Sequence, residues 1–267
     1  MKQLIQKRID VDDGWVTVDI HGDPGLPAML MIPGVMADAA SWAAVACRIE
    51  GWPTVAVINR RGRCPSGPIP DGYGLATEVA DAEAVARELV DVRALFGWSY
   101  GGLIALHLAS QRAVPHVIAY EPIMAPFGRK ALTGLRRAYE EGDLDRVVEV
   151  ALRDATGAGD DAIAALRADS DTWAELRRLG APIYAETAAI NRTPQDLPLL
   201  AARVDLIVGD RNRGQHPYGT VFTEVARRVP HATTHVLPGQ GHLAHREAPD
   251  RLADMISALR PAAGDGW

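Results

Sequence analysis

FGWSYGG, at positions 96–102, is the stretch of this sequence that decides its fold. The residues just before it predict a short strand, and residues 103–110 predict a helix. Ser99 therefore lies on a sharp strand-to-helix turn, where the crowded backbone requires small residues such as Gly97 and Gly101. The spacing Gly97-x-Ser99-x-Gly101 is that of a nucleophile elbow. A glycine-rich turn with an inactive serine is the alternative, and the motif alone does not distinguish the two.

Length and composition bound the class of protein. The chain has 267 residues, of which 48% are hydrophobic, so it can bury a large core. This length predicts one α/β domain with an insertion, or two small domains. The formal net charge of −6 and the pI of about 5.7 give no indication of a nucleic-acid-binding surface.

The two cysteines and the N-terminal residues indicate the compartment. Cys47 and Cys64 form neither a CxxC pair nor a metal-ligand spacing, so we expect no disulfide framework and no metal site. Residues 1–8 lack the apolar run of a signal peptide, and no stretch approaches the roughly 20 apolar residues of a membrane span. The expected location is the reducing cytoplasm, with no membrane partner.

Strand-like and helix-like segments alternate on both sides of a charged helical segment, residues 127–195. Strands are predicted at residues 3–11, 15–22, 28–32, 54–58, 93–96, 116–120, 204–208 and 233–237. Helices are predicted at residues 39–49, 76–90, 103–110, 219–228 and 249–260, and inside the charged segment around 131–155, 160–169 and 172–190. The alternation predicts an α/β fold: a mostly parallel, doubly wound sheet of about eight strands. The predicted core is residues 1–126 and 196–267, with residues 127–195 inserted after strand 6.

His242 is the second candidate catalytic residue. It lies between the last predicted strand and the last predicted helix. A serine needs a base to become a nucleophile at neutral pH, and histidine is the usual one. Because ligands bind at the carboxyl ends of parallel strands, this position favours a base over a solvated surface histidine. His245, three residues further on, is its local competitor.

Together these features resemble the α/β-hydrolase superfamily, and the resemblance covers nearly the whole chain. The segment NRRGRCPSG, residues 59–67, is similar to the family's Asp-x-Arg-Gly-x-Gly-x-Ser turn but departs from it at Asn59 and Cys64. The Pro33-Gly34 turn is similar to the family's His-Gly turn, with Pro33 in place of histidine. These departures indicate a divergent branch.

The resemblance implies a role for each residue around the elbow. Ser99 would be the nucleophile and His242 the base. The oxyanion that forms during acyl transfer would accept hydrogen bonds from the backbone N–H groups of Tyr100 and Val35, with Met36 as an alternative to Val35. A plain turn residue is the alternative role of Val35. No metal or organic cofactor is needed for this chemistry.

The acid of the triad is left open by the sequence. Most relatives carry it in a Gly-x-x-Asp turn after the insertion, and Asn212 occupies that position here. An asparagine accepts a hydrogen bond but supplies no charge to the imidazolium. Asp210, two residues earlier, is one candidate. Glu121, at the end of the strand after the elbow helix, is another, and its segment resembles that of some haloalkane dehalogenases; the absence of any acid is the third possibility.

The inserted segment, residues 127–195, sits where the family places a cap over the cleft. Candidate substrate-binding residues, each with simple packing as its alternative role, are Met36, Trp98, Met124, Phe127, Trp173 and Tyr184. The cap composition implies a small or medium-sized organic substrate. The assembly is expected to be a monomer or a homodimer.

Three functions are compatible with these residues. The first is a serine hydrolase, of the carboxylic-ester hydrolase type, that cleaves an ester, thioester, lactone or similar acyl bond; a C–C bond hydrolase is a variant of it. The second is a lyase, isomerase or cyclase in which His242 transfers protons and Ser99 only binds. The third is a non-catalytic ligand-binding protein, which the presence of both Ser99 and His242 disfavours, since such a protein needs neither a nucleophile nor a base. Dehalogenase chemistry is disfavoured, because those enzymes use an aspartate nucleophile.

Overall fold

A sheet of eight strands forms the centre of this computed structural model, which describes residues 3–260. The strands are β1 (Leu4–Val11), β2 (Gly14–Gly22), β3 (Ala28–Ile32), β4 (Thr54–Asn59), β5 (Val92–Trp98), β6 (His116–Tyr120), β7 (Arg203–Gly209) and β8 (Thr233–Leu237). They lie in the order β1-β2-β4-β3-β5-β6-β7-β8. β2 runs antiparallel to both of its neighbours, and every other neighbouring pair is parallel. The predicted mostly parallel sheet of about eight strands is therefore confirmed.

Helices cover both faces of the sheet. They are α1 (Ala39–Ala46), α2 (Leu75–Glu88), α3 (Tyr100–Gln111), α4 (Leu132–Glu140), α5 (Leu144–Val150), α6 (Asp160–Ala168), α7 (Ser170–Gly180), α8 (Ile183–Arg192), α9 (Tyr218–Arg228), α10 (Ala244–Glu247) and α11 (Pro249–Ala258). α2, α3 and α9 pack in the core on one face, and α1 and α11 pack in the core on the other. All five residues of β3 are buried, because the strand has a core on each side.

Two of the predicted helices in the inserted segment are interrupted in the structure. The helix predicted over 131–155 divides into α4 and α5 at Gly142, which has φ +69°, and Asp143 caps the start of α5 by accepting from the N–H of Arg146. The helix predicted over 172–190 divides into α7 and α8 around Pro182, which lacks the N–H that a continuous helix would use.

The inserted segment, residues 127–195, contributes α4 to α8 and lies between β6 and β7. It has small hydrophobic cores of its own, and Met36, from the turn after β3, packs against both of them. A buried ion pair also joins the segment to the rest of the protein: Glu186 on α8 lies 2.7 Å from the guanidinium of Arg63. These contacts bring the segment to the carboxyl ends of the central strands.

The ends of the predicted core, residues 1–2 and 261–267, lie outside the described residues. Among residues 3–260, no helix combines the length and the apolar character that crossing a bilayer requires.

Candidate active site

Ser99 lies on a strained turn between β5 and α3. Its backbone has φ +56° and ψ −119°, a conformation that a residue with a side chain rarely adopts. A Cβ atom on Gly101 would lie 1.9 Å from the carbonyl oxygen of Ile32, and one on Gly97 would lie 2.3 Å from the carbonyl oxygen of Gly101. The two glycines of the motif are therefore required by close backbone packing.

The turn is tied to the neighbouring strand β6. The N–H of Ser99 donates to the carbonyl of Tyr120 at 3.0 Å, and the carbonyl of Ser99 accepts from the N–H of Ile123 at 3.2 Å. These bonds hold the serine at the carboxyl edge of the sheet, beside the residue that directly follows β6. That residue is Glu121.

Glu121 pairs with His242. The carboxylate Oε2 lies 2.7 Å from Nδ1 of the imidazole; the glutamate side chain is buried, and 9% of the histidine side chain is exposed. A carboxylate only accepts, so Nδ1 carries the proton and Nε2 is the nitrogen able to accept one. Glu121 has φ +42°, a second strained non-glycine residue at this edge. Glu121 and His242 are therefore arranged as the acid and base of a triad would be.

Asn212 holds the carboxylate from the other side. Its Nδ2 donates to Oε1 at 3.0 Å and to Oε2 at 2.9 Å of Glu121, and the N–H of Gly209 donates to Oε1 at 2.9 Å. Asn212, at the position where most relatives carry the acid, therefore acts as a donor that orients Glu121. Asp210 has an exposed side chain, and within residues 3–260 no hydrogen bond joins it to His242.

Aromatic rings enclose the imidazole of His242. Tyr218 stacks on it at a centroid distance of 3.6 Å, and Trp98 lies at 4.8 Å. Trp98 Nε1 also donates to the carbonyl of His242 at 2.9 Å, which anchors the loop. Burial lowers the pKa of His242 below 6.5, although the nearby Glu121 raises it. A neutral imidazole at pH 7 is the form that can accept a proton.

Tyr218 was not among the residues predicted from the sequence. It begins α9, directly after Pro217, and nothing in its local pattern distinguishes it from a packing residue. Its stacking on His242 follows only from the folded positions of α9 and the loop after β8.

His245, the competing histidine, is more deeply buried than His242, with 3% of the residue exposed. It stacks on Trp42 at 4.7 Å and contacts Trp98 at 4.5 Å. Burial, together with the nearby His242 and Arg246, lowers its pKa to about 3. His245 is therefore neutral and lines the cavity as a polar wall, whereas the carboxylate of Glu121 contacts His242.

The turn after β3 approaches Ser99 closely. A Cβ on Gly34 would lie 2.8 Å from Cβ of Ser99, so only glycine fits there. Within residues 3–260, no protein group accepts a hydrogen bond from the N–H of Val35 or of Tyr100. Tyr100 is the first residue of α3, where the helix dipole favours negative charge. Two backbone donors are thus available beside the serine.

A cavity of about 450 Å³ opens at Ser99 and His242. The core and the inserted segment both line it, mostly with apolar side chains that include Met36, Phe127 and Ile183. Its volume falls within the range of roughly 300–1,000 Å³ that is usual for small-molecule sites. Of the six predicted substrate-binding residues, Met36, Trp98 and Phe127 line this cavity.

The other three predicted residues lie elsewhere, and the assignment is corrected for them. Met124 is buried in the core on the α2–α3 face. Trp173 packs in a core of the inserted segment, with Nε1 donating to Asp145 at 2.6 Å. Tyr184 faces a separate surface groove and contacts Tyr139. Large apolar residues have the same signature in a sequence whether they fill a core or line a cavity.

In the part of the chain that the structure describes, no group of three or more His, Cys, Asp or Glu side chains is placed to hold a metal ion.

Comparison with known proteins matches this chain to a sequence family, to a relative by sequence and to solved structures. The model of the family described as "Alpha/beta hydrolase family" matches residues 29–255. The N-formylmaleamate deformylase of Pseudomonas putida is 32% identical over 108 residues, which span 39% of this chain and only 40% of that relative.

Two solved structures share the fold. An α/β hydrolase from Sphaerobacter thermophilus has a TM-score of 0.79 at 20% identity and covers 94% of this chain and 99% of its own. A structure described among carboxylesterases of Nitrososphaera gargenis has a TM-score of 0.71 at 18% identity and covers 94% and 97%. The strand order, the Ser99 turn and the extent of the family match agree: the chain belongs to the α/β-hydrolase family.

Proposed function

We propose that this protein is a hydrolase that cleaves an ester, thioester, lactone or similar acyl bond of a small organic molecule through an acyl-Ser99 intermediate. The observation that carries the proposal is the 2.7 Å contact between Glu121 and His242 at the wall of the cavity that Ser99 also lines. A buried carboxylate that orients a neutral histidine beside a strained serine is an arrangement for nucleophilic catalysis.

In the proposed reaction, Ser99 Oγ attacks the substrate carbonyl carbon while Nε2 of His242 takes the hydroxyl proton. Glu121 keeps the imidazole in the required tautomer and stabilises its positive charge. The N–H groups of Val35 and Tyr100 donate to the oxyanion. The bond to the leaving group breaks as His242 returns the proton to it. Water then attacks the acyl-enzyme by the same route, which releases the acid and restores Ser99.

The cavity supports the proposal of a small organic substrate. Its walls are mainly apolar, with a few hydroxyl groups such as those of Thr156, Thr172 and Thr187. A volume of about 450 Å³ accommodates a small or medium-sized acyl compound. We assign residues 127–195 the role of a cap, which limits the entry of water while the acyl-enzyme exists.

A second candidate is hydrolysis of an amide, in particular an N-formyl amide. It is favoured by the 32% identity to a protein named N-formylmaleamate deformylase over part of the chain. The same proposed residues serve both reactions, since only the leaving atom changes from oxygen or sulfur to nitrogen. C–C bond hydrolysis and non-hydrolytic proton transfer by His242 are the remaining alternatives on this fold.

The test is to label the protein with a fluorophosphonate and to locate the adduct by mass spectrometry. We expect phosphonylation of Ser99 and its loss in Ser99→Ala. Ser110→Ala is the matched control, since Ser110 also lies on α3 but donates to the carbonyl of His107. Turnover of a panel of p-nitrophenyl esters, thioesters, lactones and N-formyl amides then separates the two candidates. No adduct on Ser99 together with no turnover would contradict both.

A further inference from the structure

Arg60 is a buried cation beneath the turn that carries Val35. It directly follows β4, and only 1% of its side chain is exposed. Its Nε donates to the carbonyl of Pro33 at 2.9 Å, and its Nη2 donates to the carbonyl of Gly34 at 2.6 Å. These are the last two carbonyls before Val35, so one guanidinium binds the backbone that presents the proposed oxyanion donor.

The contact with Gly34 also determines where the N–H of Val35 points. The carbonyl of Gly34 and the N–H of Val35 belong to one planar peptide group, which is trans, so they point in opposite directions. Because Arg60 holds the carbonyl, the N–H is directed away from the guanidinium. Gly34 itself packs against Cβ of Ser99. A cation on the carbonyl oxygen also polarises the peptide group and strengthens its N–H as a donor.

The opposite edge of the guanidinium is held by two carboxylates. Nη1 lies 2.6 Å from Glu78 on α2 and 2.7 Å from Glu186 on α8. Burial alone would lower the pKa of Arg60, but these two carboxylates raise it, so the side chain remains charged. The guanidinium cannot rotate without breaking an ion pair in a buried environment, so its donors stay aimed at the two carbonyls.

We infer that Arg60 is a positioning residue for the oxyanion site: it orients and polarises the Gly34–Val35 peptide group. This inference rests on the proposed acyl-transfer function. A lysine at position 60 would retain the charge, but it has no planar fork and cannot hold two carbonyls and two carboxylates at once. The role therefore depends on the shape of the guanidinium as well as on its charge.

Arg61 provides a matched control. It is the next residue, its side chain is also 1% exposed, and its guanidinium binds Asp81 at 2.6 and 2.9 Å. It also donates to two backbone carbonyls, those of Asp12 and Asp13, but these lie in the turn between β1 and β2. Both arginines are thus 1% exposed and both bind carboxylates and backbone carbonyls, but of the two only Arg60 contacts the turn that carries Val35.

The experiment compares Arg60→Lys with Arg61→Lys. We would measure kcat and KM for p-nitrophenyl butanoate per active site, titrated with a fluorophosphonate, so that unfolded protein does not count. For Arg60→Lys we expect kcat to fall at least about tenfold, part of the loss known for a deleted oxyanion donor. KM should change less than about threefold, because the effect belongs to the transition state. Arg61→Lys should change both constants by less than about threefold, whatever it does to the melting temperature.

Inhibitors give a readout that a merely structural role would not change. Butaneboronic acid forms a tetrahedral adduct with an oxygen in the oxyanion site, whereas butanamide binds only as a ground-state analogue. In Arg60→Lys the Ki of the boronic acid should rise by about the same factor as kcat falls, and the Ki of butanamide should not. In Arg61→Lys the ratio of the two Ki values should stay constant. The inference would be overturned if Arg60→Lys and Arg61→Lys changed the ratio of the two Ki values equally, or if they lowered kcat equally.

A charge-balanced variant keeps the test possible if Arg60→Lys folds poorly. Arg60→Gln combined with Glu78→Gln removes one buried cation and one buried anion together, which avoids leaving an unpaired charge. It should show the same loss of kcat and the same change in the ratio of Ki values. If the wild-type protein neither labels at Ser99 nor cleaves the ester, the proposed function has failed. If it does both and the Arg60 variants match the Arg61 variant, only the role of Arg60 has failed.

Discussion

β6 carries a carboxylate–histidine cluster at each end, and the two clusters differ in what surrounds them. At the carboxyl end, Glu121 lies 2.7 Å from Nδ1 of His242. At the other end, His116 is the first residue of the strand, and its Nε2 lies 2.6 Å from Asp205 on β7. Both carboxylates are essentially inaccessible to solvent, with 1% and 0% of the residue exposed.

The partners of the two carboxylates are of different kinds. Asp205 contacts two histidines, His116 and His235 at 2.6 and 2.7 Å, and the guanidinium of Arg203 at 2.7 Å. Burial opposes ionisation of Asp205, but these partners lower its pKa to about 2. Glu121 instead receives hydrogen bonds from an amide and a backbone N–H, and it pairs with one histidine.

The position of each cluster in the sheet, more than its composition, distinguishes the candidate catalytic group. Asp205 and His116 lie toward the amino ends of their strands, whereas Glu121 lies at the carboxyl edge, beside the Ser99 turn and the cavity. Parallel α/β sheets bind ligands at the carboxyl edge, where the strands end and the helices begin. A short histidine–carboxylate contact therefore indicates a candidate catalytic group only when it lies at the carboxyl edge of the sheet.

The largest expected difference between the clusters is in catalysis. Glu121→Gln should lower kcat by about 10³- to 10⁴-fold, because the amide favours the wrong tautomer of His242 and supplies no charge. Among residues 3–260, Asp205 makes no hydrogen bond or ion pair with a residue that lines the cavity, so Asp205→Asn should change kcat by less than about threefold. The measurement is kcat on an ester that the wild-type protein turns over. Equal losses in the two variants would contradict the assignment of Glu121 as the acid.

A smaller difference is expected when the polar donors are removed. Asn212→Ala should lower kcat about tenfold, which corresponds to the loss of a hydrogen bond to a charged group of about 1.5 kcal/mol. Arg203→Gln, the matched change at Asp205, should leave kcat unaltered. Measured kcat values for both folded variants check this. Retention of full activity by Asn212→Ala would show that Gly209 alone orients the carboxylate.

The pH dependence of activity separates charge from hydrogen bonding at Glu121. Burial lowers the pKa of His242 and Glu121 raises it, so kcat/KM of the wild-type protein should begin to fall only below pH 6.5 as the base becomes protonated. Removing the carboxylate in Glu121→Gln removes the raising effect, so the acid limb should move to lower pH. Profiles of kcat/KM against pH for the two proteins measure the direction of this shift, and an acid limb that moves to higher pH in Glu121→Gln would contradict the prediction.

The smallest expected effect is on acid stability at the second cluster. The pKa of Asp205 is lowered from 3.8 to about 2 on folding, so the folded state binds fewer protons than the unfolded state. This stabilisation is fully present above pH 3.8 and is lost as the pH falls through about 2. The difference in unfolding free energy between the wild-type protein and Asp205→Asn should therefore shrink over that window. Chemical denaturation at several pH values measures it, and a constant difference would be the contrary result.

Much of the fold could be predicted because its signals are local. Buried parallel strands are continuous apolar runs, and the Gly97-x-Ser99-x-Gly101 spacing identifies the turn after β5. The helix breaks at Gly142 and Pro182 were missed, although both residues carry the local signals that end helices. The apolar residues of the inserted segment could not be divided between core and cavity, because that division depends on tertiary packing.

The sequence by itself determined the α/β alternation, the strained position of Ser99 and the placement of His242 after the last strand. Only the tertiary structure decided which polar groups meet: Glu121 and Asn212 are 91 positions apart, and Glu121 and His242 are 121 positions apart, yet they form one hydrogen-bonded group. The same holds for Arg60, whose guanidinium donates to the carbonyls of Pro33 and Gly34 in the turn after β3. Local patterns follow from the periodicity of strands and helices, whereas these contacts depend on the lateral order and register of the strands, which no short stretch of sequence specifies.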